Sequence, residues 1–526
     1  MLKTHCEQSV TSSKRDKFLL IYPTMITEAP MALGMLAPIL KDFEVSAFVN
    51  TFKYPLEVED YLERARGIKF IGISMITFGV LKTYALIKKL KEEQKNRVIV
   101  VGGAHPTDCP EEVIGAGADI VVRGEGEGTL EELCAYWRGE KELKDILGIT
   151  YQENGKIVSN PPRPRLDIEN LPIPDLDIYD IDIFRDKNGF IKGFHRIYTS
   201  RGCPGACTFC DWKVFGQKFK YYSVSRIIED IKRRRDVYGI KSFSIADDCF
   251  TVIPERVFEF CKLIKPLKIE WRANSRANLV TLEMLKAMKD AGCHSVAFGL
   301  ESGDPETLLR IAKRITLEEN IKAVQMAHEV GLECYGCLMT GFPWETVKNV
   351  ENQIKFVKKV WEDVSLFQVS GCLMPFPGTA IYYRYNKEYG FTKYWTKPEH
   401  QNSGIQIYQN FLNPYSVSVF YQRVLFDDTY VHEERFFTYP KEYKKKVREL
   451  VLEIGKHNLE FMFPNKKIKQ KIYLLLARLS MFGYDWLPGL ERKVGGLLFN
   501  LFNKNGQRSG IEKLRDKRRG IAKQRQ

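Results

Sequence analysis

In the stretch Ile197-Tyr-Thr-Ser-Arg-Gly-Cys203-Pro-Gly-Ala-Cys207-Thr-Phe-Cys210-Asp-Trp212, three cysteines fall within eight residues of a loop rich in glycine and proline. Iron–sulfur sites are built from cysteine thiolates, and three at this spacing can hold three irons of a [4Fe–4S] cluster, leaving the fourth iron without a protein ligand. Gly202 and Gly205 permit the tight backbone bends such a loop needs. Zinc would call for a fourth Cys or His at finger-like spacing, and none stands nearby. The remaining cysteines are scattered. Cys334 and Cys337 form a C-x-x-C, but in an expected strand residues three apart point to opposite faces, so they read as buried thiols.

Working outward, short apolar runs alternate with helical stretches from about residue 194 to 377. Strands are expected at 196–199, 242–245, 269–272, 295–299, 333–339 and 366–373, which predicts a partial (β/α)6 TIM-like barrel over residues 193–380. Functional residue types gather at the expected strand ends. These are Asp247 and Asp248, then Trp271-Arg272-Ala-Asn-Ser-Arg276, then Phe298-Gly-Leu-Glu301-Ser-Gly303. Gly336-Cys-Leu-Met-Thr-Gly341-Phe-Pro-Trp-Glu345 and Pro375-Phe-Pro-Gly-Thr379 follow in the same position.

With its motifs in this order, the segment resembles the radical S-adenosylmethionine superfamily. The resemblance implies that Cys203, Cys207 and Cys210 hold the cluster and that its open iron chelates the amino and carboxylate groups of S-adenosylmethionine. A reduced cluster would then split that molecule into methionine and a 5′-deoxyadenosyl radical, which takes hydrogen from an unactivated carbon. By the same resemblance Phe209 lies near the adenine, and Asp247 or Asp248 accepts the methionine amino group. Arg276, ahead of Arg272, pairs with the methionine carboxylate. Glu301 bonds the nucleoside or amino end, and the Gly336 to Gly341 motif lines the adenine pocket. An electron donor such as ferredoxin or flavodoxin is an implied partner.

Upstream, strands expected at 17–22, 45–49, 70–74, 98–101 and 119–122 alternate with amphipathic helices, the pattern of a doubly wound, Rossmann-like α/β domain over residues 1–148. Gly102, Gly103, Gly124, Gly126 and Gly128 follow strand ends, where ligands bind in such folds. Residues 149–192 read as a hairpin turning at Asn154-Gly155, then a proline-rich linker. The domain resembles the cobalamin-binding domain of class B radical enzymes through Ser74-Met-Ile-Thr77, Val100-Val-Gly-Gly-Ala-His105-Pro and Val122-Arg-Gly-Glu-Gly-Glu-Gly128. The Asp-x-His-x-x-Gly motif that supplies a histidine below cobalt is absent, since the first strand ends in Tyr22-Pro-Thr-Met. His105 reads as a structural histidine, which leaves two readings: cobalamin bound without a protein lower ligand, taken first, or an empty domain that shapes a substrate tunnel.

The formal charge of +14 points to a polyanionic partner, a membrane surface or nucleic acid, or simply to a lysine-rich solvated surface. No apolar run is long enough to span a bilayer, and the first residues lack the apolar core of a secretory signal, so a cytoplasmic enzyme is expected. Residues 381–526 read as a helical region ending in a basic tail, with lysines set beside Trp486, Leu497, Leu498, Phe499, Leu501 and Phe502. Such a segment can lie in a membrane interface. The run Cys210-Asp-Trp212-Lys-Val-Phe215, then Tyr221-Tyr-Ser-Val, resembles the anaerobic magnesium-protoporphyrin ester cyclase group, whose architecture hopanoid methylases and archaeal tetraether lipid ring synthases share. That resemblance implies a large hydrophobic substrate. A membrane lipid, methylated or closed into a ring in an archaeal source, is the first expectation, and a tetrapyrrole the second. Nucleic-acid modification ranks behind both.

Overall fold

In a computed structural model of the chain, residues 15–462 are described except 27, 52–53, 187–188, 190, 391 and 397–439, as are 467–468 and 470–471. The basic tail expected to end the 381–526 region, with Trp486, Leu497, Leu498, Phe499, Leu501 and Phe502 beside it, lies outside the described residues.

Phe18, Leu19, Leu20 and Ile21 are each at most 2% exposed, which is why β1 (Lys17–Ile26) is an unbroken apolar run: both its faces are covered. It sits inside a seven-stranded sheet with β2 (Glu44–Thr51), β3 (Phe70–Ser74), β4 (Val98–Gly102), β5 (Ile120–Val122), β6 (Ile149–Glu153) and β7 (Lys156–Ser159), in the order β2-β1-β3-β4-β5-β6-β7. The first five are parallel. Helix Val80–Glu93 covers one face, burying Val80, Leu86, Ile87 and Leu90. The expected hairpin forms, with Asn154 and Gly155 both at positive φ as a tight turn demands. It is part of this sheet rather than of a connector, because β6 pairs antiparallel with β5. The proline-rich stretch behind it has no strand and a single short helix, Ile181–Phe184.

The second sheet holds β8 (Arg196–Ile197), β11 (Ser242–Ile245), β12 (Glu270–Ser275), β13 (Cys293–Glu301), β14 (Glu333–Thr340) and β15 (Leu366–Cys372), all parallel. Between β8 and β11 a two-stranded ribbon, β9 (Ser200–Arg201) with β10 (Lys220–Tyr221), brackets the cysteine loop. Alternation along β12 is strict: Trp271, Ala273 and Ser275 are buried, while Glu270, Arg272 and Asn274 are exposed. Trp271 packs edge-on against Phe250 and Phe260, so its side is the helix side and the exposed residues face the barrel interior. The sheet is an open arc, and β15 is an edge that needs its backbone groups satisfied. The Asn458 amide supplies this, accepting from Phe367 N (2.9 Å) and donating to Phe367 O (2.8 Å) from the helix Lys441–Met462. Among the described residues no helix is long and apolar enough to cross a membrane.

Candidate active site

The cysteine loop is held from beneath by one carboxylate. Asp247, 1% exposed at the end of β11, accepts from Thr199 N (2.6 Å) and Oγ1 (2.5 Å) and from Ser200 N (3.1 Å) and Oγ (2.6 Å). Arg256 reaches the same Thr199 through its carbonyl (2.7 Å) and hydroxyl (2.5 Å). The loop then turns at Gly202, φ +82, where a Cβ would lie 2.6 Å from Lys218 O. Burial raises the Asp247 pKa, with Arg256 and the four hydrogen bonds pulling against it. Both oxygens are thus engaged with the chain, so Asp247 anchors the loop. Asp248 as a residue stays open to solvent, while the protein crowding its carboxyl group raises that group's pKa and the charge of Asp247 adds to it.

The three thiols sit above this anchor. Gly205 N donates to Cys203 Sγ (3.4 Å), and Arg276 Nη1 lies 3.7 Å from Cys207 Sγ. Among the described residues no three His, Cys, Asp or Glu side chains converge at the spacing of one metal ion. Ligands of a four-iron cluster bind separate irons, and three thiols on one loop are a donor set that suits such a cluster.

The structure places the other strand-end residues in different settings. Glu301 ends β13 at φ +60, beside a register shift at Gly299, and accepts from Lys313 Nζ (2.9 Å). Gly341 makes the turn after β14, and Phe342 next to it meets Phe209 with ring centroids 6.4 Å apart, then stacks on Trp344. Gly336 belongs elsewhere: it lies on the helix side of β14, where a Cβ would come within 2.8 Å of Leu300 and 3.3 Å of Phe367, so it is a packing glycine and lines no pocket at the strand ends. Arg276 is buried and already occupied, one nitrogen at Cys207 and the other donating to Lys313 O, which places it on the wall of the cysteine loop. Arg272 bonds Ser244 Oγ in mid-strand, away from the strand ends. Cys334 and Cys337 do face opposite sides of β14, the first fully buried against helices and the second half-buried.

Glu345 closes the Gly341 turn. Its Oε2 accepts from Gly341 N (2.7 Å), Phe342 N (3.2 Å) and the Tyr443 hydroxyl (2.7 Å) of the C-terminal helix. Burial pushes its pKa from 4.5 up to about 7, although these three donors oppose it. An acid with a raised folded pKa stabilises the fold when protonated, so that contribution is complete below about pH 4.5 and lost as pH rises to about 7. The loss is on the order of 3 kcal/mol. Glu345→Gln keeps an acceptor oxygen, so urea midpoints of the variant should stop sharing this decline. Parallel pH profiles for variant and parent would contradict the assignment.

The cysteine loop also borders the first sheet. Arg201, next to Gly202, pairs with Glu125 (2.9 Å) and Glu127 (2.5 Å) of the glycine-rich loop after β5, all three under a tenth exposed. Lys213 Nζ lies 2.8 Å from Asp108 Oδ1 and 2.9 Å from the Tyr383 hydroxyl. Burial pushes the Asp108 carboxyl up to about 7, with Lys213 pulling it down. Gly378 of the Pro-Phe-Pro-Gly turn gives this carboxylate room, since a Cβ there would stand 2.4 Å from both its oxygens.

Arg201, Val214 and Phe215 share one cavity of about 140 Å³ with Phe18, Leu20, Gly102, Gly124 and Leu130 of the first domain. That is close to the ~150 Å³ that admits a benzene ring. A Cβ on Gly102 or Gly124 would meet nothing nearer than 3.6 and 4.0 Å, so these glycines leave open space at the strand ends. The residues therefore fit a flat apolar moiety such as the aromatic base that ends the nucleotide tail of cobalamin. Gly102→Leu should fill the cavity and weaken cobalamin binding roughly tenfold or more while leaving iron content unchanged; equal cobalamin retention by the variant would exclude this cavity. His105 is not part of its lining: fully buried, it meets the Tyr84 hydroxyl at Nε2 (3.1 Å) and Thr77 Oγ1 at Nδ1 (3.3 Å), which makes it structural.

The Radical SAM superfamily profile matches residues 197–357, and the B12 binding domain profile matches residues 27–134. An uncharacterized methyltransferase of Pyrococcus horikoshii is 36% identical over 364 residues, spanning 68% of this chain and 78% of that protein. The anaerobic magnesium-protoporphyrin IX monomethyl ester cyclase of Rubrivivax gelatinosus is 26% identical over 327 residues, 59% of this chain and 58% of that one. The fold is shared with the cobalamin-dependent S-adenosylmethionine radical enzyme OxsB, solved with aqua-cobalamin and S-adenosylmethionine bound, at a TM-score of 0.65 and 17% identity over 95% of this chain and 83% of that chain. The chain belongs to the radical S-adenosylmethionine superfamily, in the class B group that joins a cobalamin-binding domain to the radical barrel. It is a radical enzyme of the methyltransferase and cyclase type.

Proposed function

We propose that this enzyme methylates, or joins to a second carbon, an unactivated carbon of a hydrophobic substrate, a membrane lipid first among them. The observation that carries the reading is the shared cavity: residues flanking the cysteines line the same space as the glycine strand ends of the cobalamin-type domain. When bound, the cluster and S-adenosylmethionine supply the hydrogen-abstracting radical, and cobalamin supplies a methyl group.

The chain's own residues position and enclose. Cys203, Cys207 and Cys210 hold the cluster on a loop fixed by Asp247. Phe209 and Phe342 offer ring faces to an adenine, beside the Gly341 turn. Glu301 presents a carboxylate to the ribose or amino end, and Asp248, exposed, is the acceptor for the methionine amino group. Trp212 and Tyr383, 41% and 59% exposed beside the Asp108–Lys213 contact, give the domain junction the apolar surface a lipid chain would meet. The Pyrococcus relative's name favours methyl transfer; the Rubrivivax relative's name favours a tetrapyrrole ester and ring closure as the second reading.

The roles of the two aspartates separate cleanly. Asp248→Asn should keep full iron content and weaken S-adenosylmethionine binding roughly tenfold, whereas Asp247→Ala should lose cluster along with the loop. Unchanged binding by Asp248→Asn would remove it from the site. The substrate reading is tested by incubating anaerobically reconstituted protein with reductant, S-adenosylmethionine, methylcobalamin and membrane lipid extract. 5′-Deoxyadenosine that rises with lipid, together with a methyl mass gain or a loss of hydrogens, supports it. Turnover that ignores lipid and responds to porphyrin ester replaces it with the second reading.

A further inference from the structure

Lys313, in the turn after the short helix that follows Glu301, is buried to 5% exposure. Its neighbours Ala312 and Arg314 have φ of +52 and +55, and its partner Glu301 has φ of +60. Left-handed backbone at non-glycine residues is strained and persists where the surroundings over-determine it. Three such residues around one ion pair mark a geometry that is enforced.

The enforcement is visible. Gly299 faces the pair, and a Cβ there would lie 2.5 Å from Glu301 Oε1 and 2.9 Å from Lys313 Nζ. The Lys313 carbonyl accepts from Arg276, whose other nitrogen stands at Cys207 Sγ. Two residues earlier, Ile311 O accepts from Thr208 N inside the cysteine loop (2.9 Å). The Lys313 ammonium stands 2.9 Å from Glu301 Oε1 with both side chains buried, a pairing that favours the charged form of each. A buried ion pair adds little to stability compared with an apolar pair of similar volume, so the charge calls for another use.

We propose that Lys313, together with Arg276, sets the reduction potential of the cluster by holding positive charge against its Cys207 side, with Glu301 offsetting part of that charge. This rests on the reading of the three cysteines as ligands of a [4Fe–4S] cluster. Cluster potentials follow net charge, hydrogen bonds to sulfur and burial. The step is one electron from an external one-electron carrier of the ferredoxin or flavodoxin class onto the cluster, and a cation in a low-dielectric wall favours the state that holds the extra electron. Lys313 acts through the cluster ligand and is a positioning residue.

The test reconstitutes the parent chain, Lys313→Gln, Lys313→Arg and Glu301→Gln anaerobically, measures iron and sulfide, and titrates the potential by EPR without S-adenosylmethionine. Lys313→Gln should move the potential to more negative values, Glu301→Gln to more positive ones, and Lys313→Arg should stay near the parent. Shifts of one sign in both neutral variants, or a full cluster at the parental potential in Lys313→Gln, overturn the proposal. If Lys313→Gln cannot hold the cluster, Glu301→Gln decides: an upward shift supports it and an unchanged potential overturns it. If the parent itself takes up no four-iron cluster, the cysteine reading falls and takes this proposal with it, an outcome the iron and sulfide analysis separates from the others.

Discussion

A chain carrying Cys203→Ala, Cys207→Ala or Cys210→Ala, reconstituted anaerobically and given reductant and S-adenosylmethionine, forms no 5′-deoxyadenosine above background. Each thiolate would bind its own iron, so no remaining cysteine substitutes for a lost one. The protein should stay folded, because the thiols contribute only long contacts, from Gly205 N to Cys203 (3.4 Å) and from Arg276 to Cys207 (3.7 Å). The loop is held by the four hydrogen bonds to Asp247, by Arg256 on Thr199 and by the turn at Gly202. Circular dichroism of each variant should therefore match the parent. A variant that keeps both its cluster absorbance and its deoxyadenosine yield would remove that cysteine from the ligand set.

Arg201→Met should destabilise the protein by about 3–5 kcal/mol, the usual cost of leaving buried charge without its partner. The substitution strands two carboxylates, Glu125 and Glu127, each under a tenth exposed and within 3 Å of the guanidinium in the parent. Glu125 retains the Leu166 N–H as a donor (3.0 Å), which is too little to compensate. Arg201 also stacks on Phe215, so part of the loss is packing. Urea denaturation reads the loss directly. A chain with Arg201→Met, Glu125→Gln and Glu127→Gln should recover most of it, since the triple change removes the stranded charge. Failure of the triple variant to recover would mean that geometry, not charge, dominates there.

The cysteine spacing and the strand-end glycines were legible because they are local: period, turn chemistry and ligand spacing all act within a few residues. Strand β11 and strand β3 fall where alternation and apolar runs place them, while β12, β13 and β14 run longer than expected because pairing with both neighbours extends them. The division of labour between Asp247 and Asp248 was not legible, since adjacent residues in one strand end point opposite ways and only the fold says which side holds the loop. Gly336 misled for a related reason: a glycine in a strand can serve a ligand or a neighbouring side chain, and here Leu300 and Phe367 take the space. Lys313 and Arg201 were invisible because their partners are distant or sit across an irregular turn. Arg201 and Glu125 are 76 positions apart. Tyr443 closing the Gly341 turn lies 102 positions away from it, in a helix that shows no motif of its own.

The contact of Arg201 with the Gly124–Gly128 segment bears on how such proteins can be recombined. Arg201 belongs to the chain stretch that opens the barrel, and its two acids belong to the segment that closes the first five strands. A chimaera spliced in the proline-rich stretch between them would inherit one half of a charge triad from each parent. Grafts from relatives lacking the matching acids would carry an orphaned cation into a dry junction, so exchange of halves demands that these three positions travel as one inherited unit.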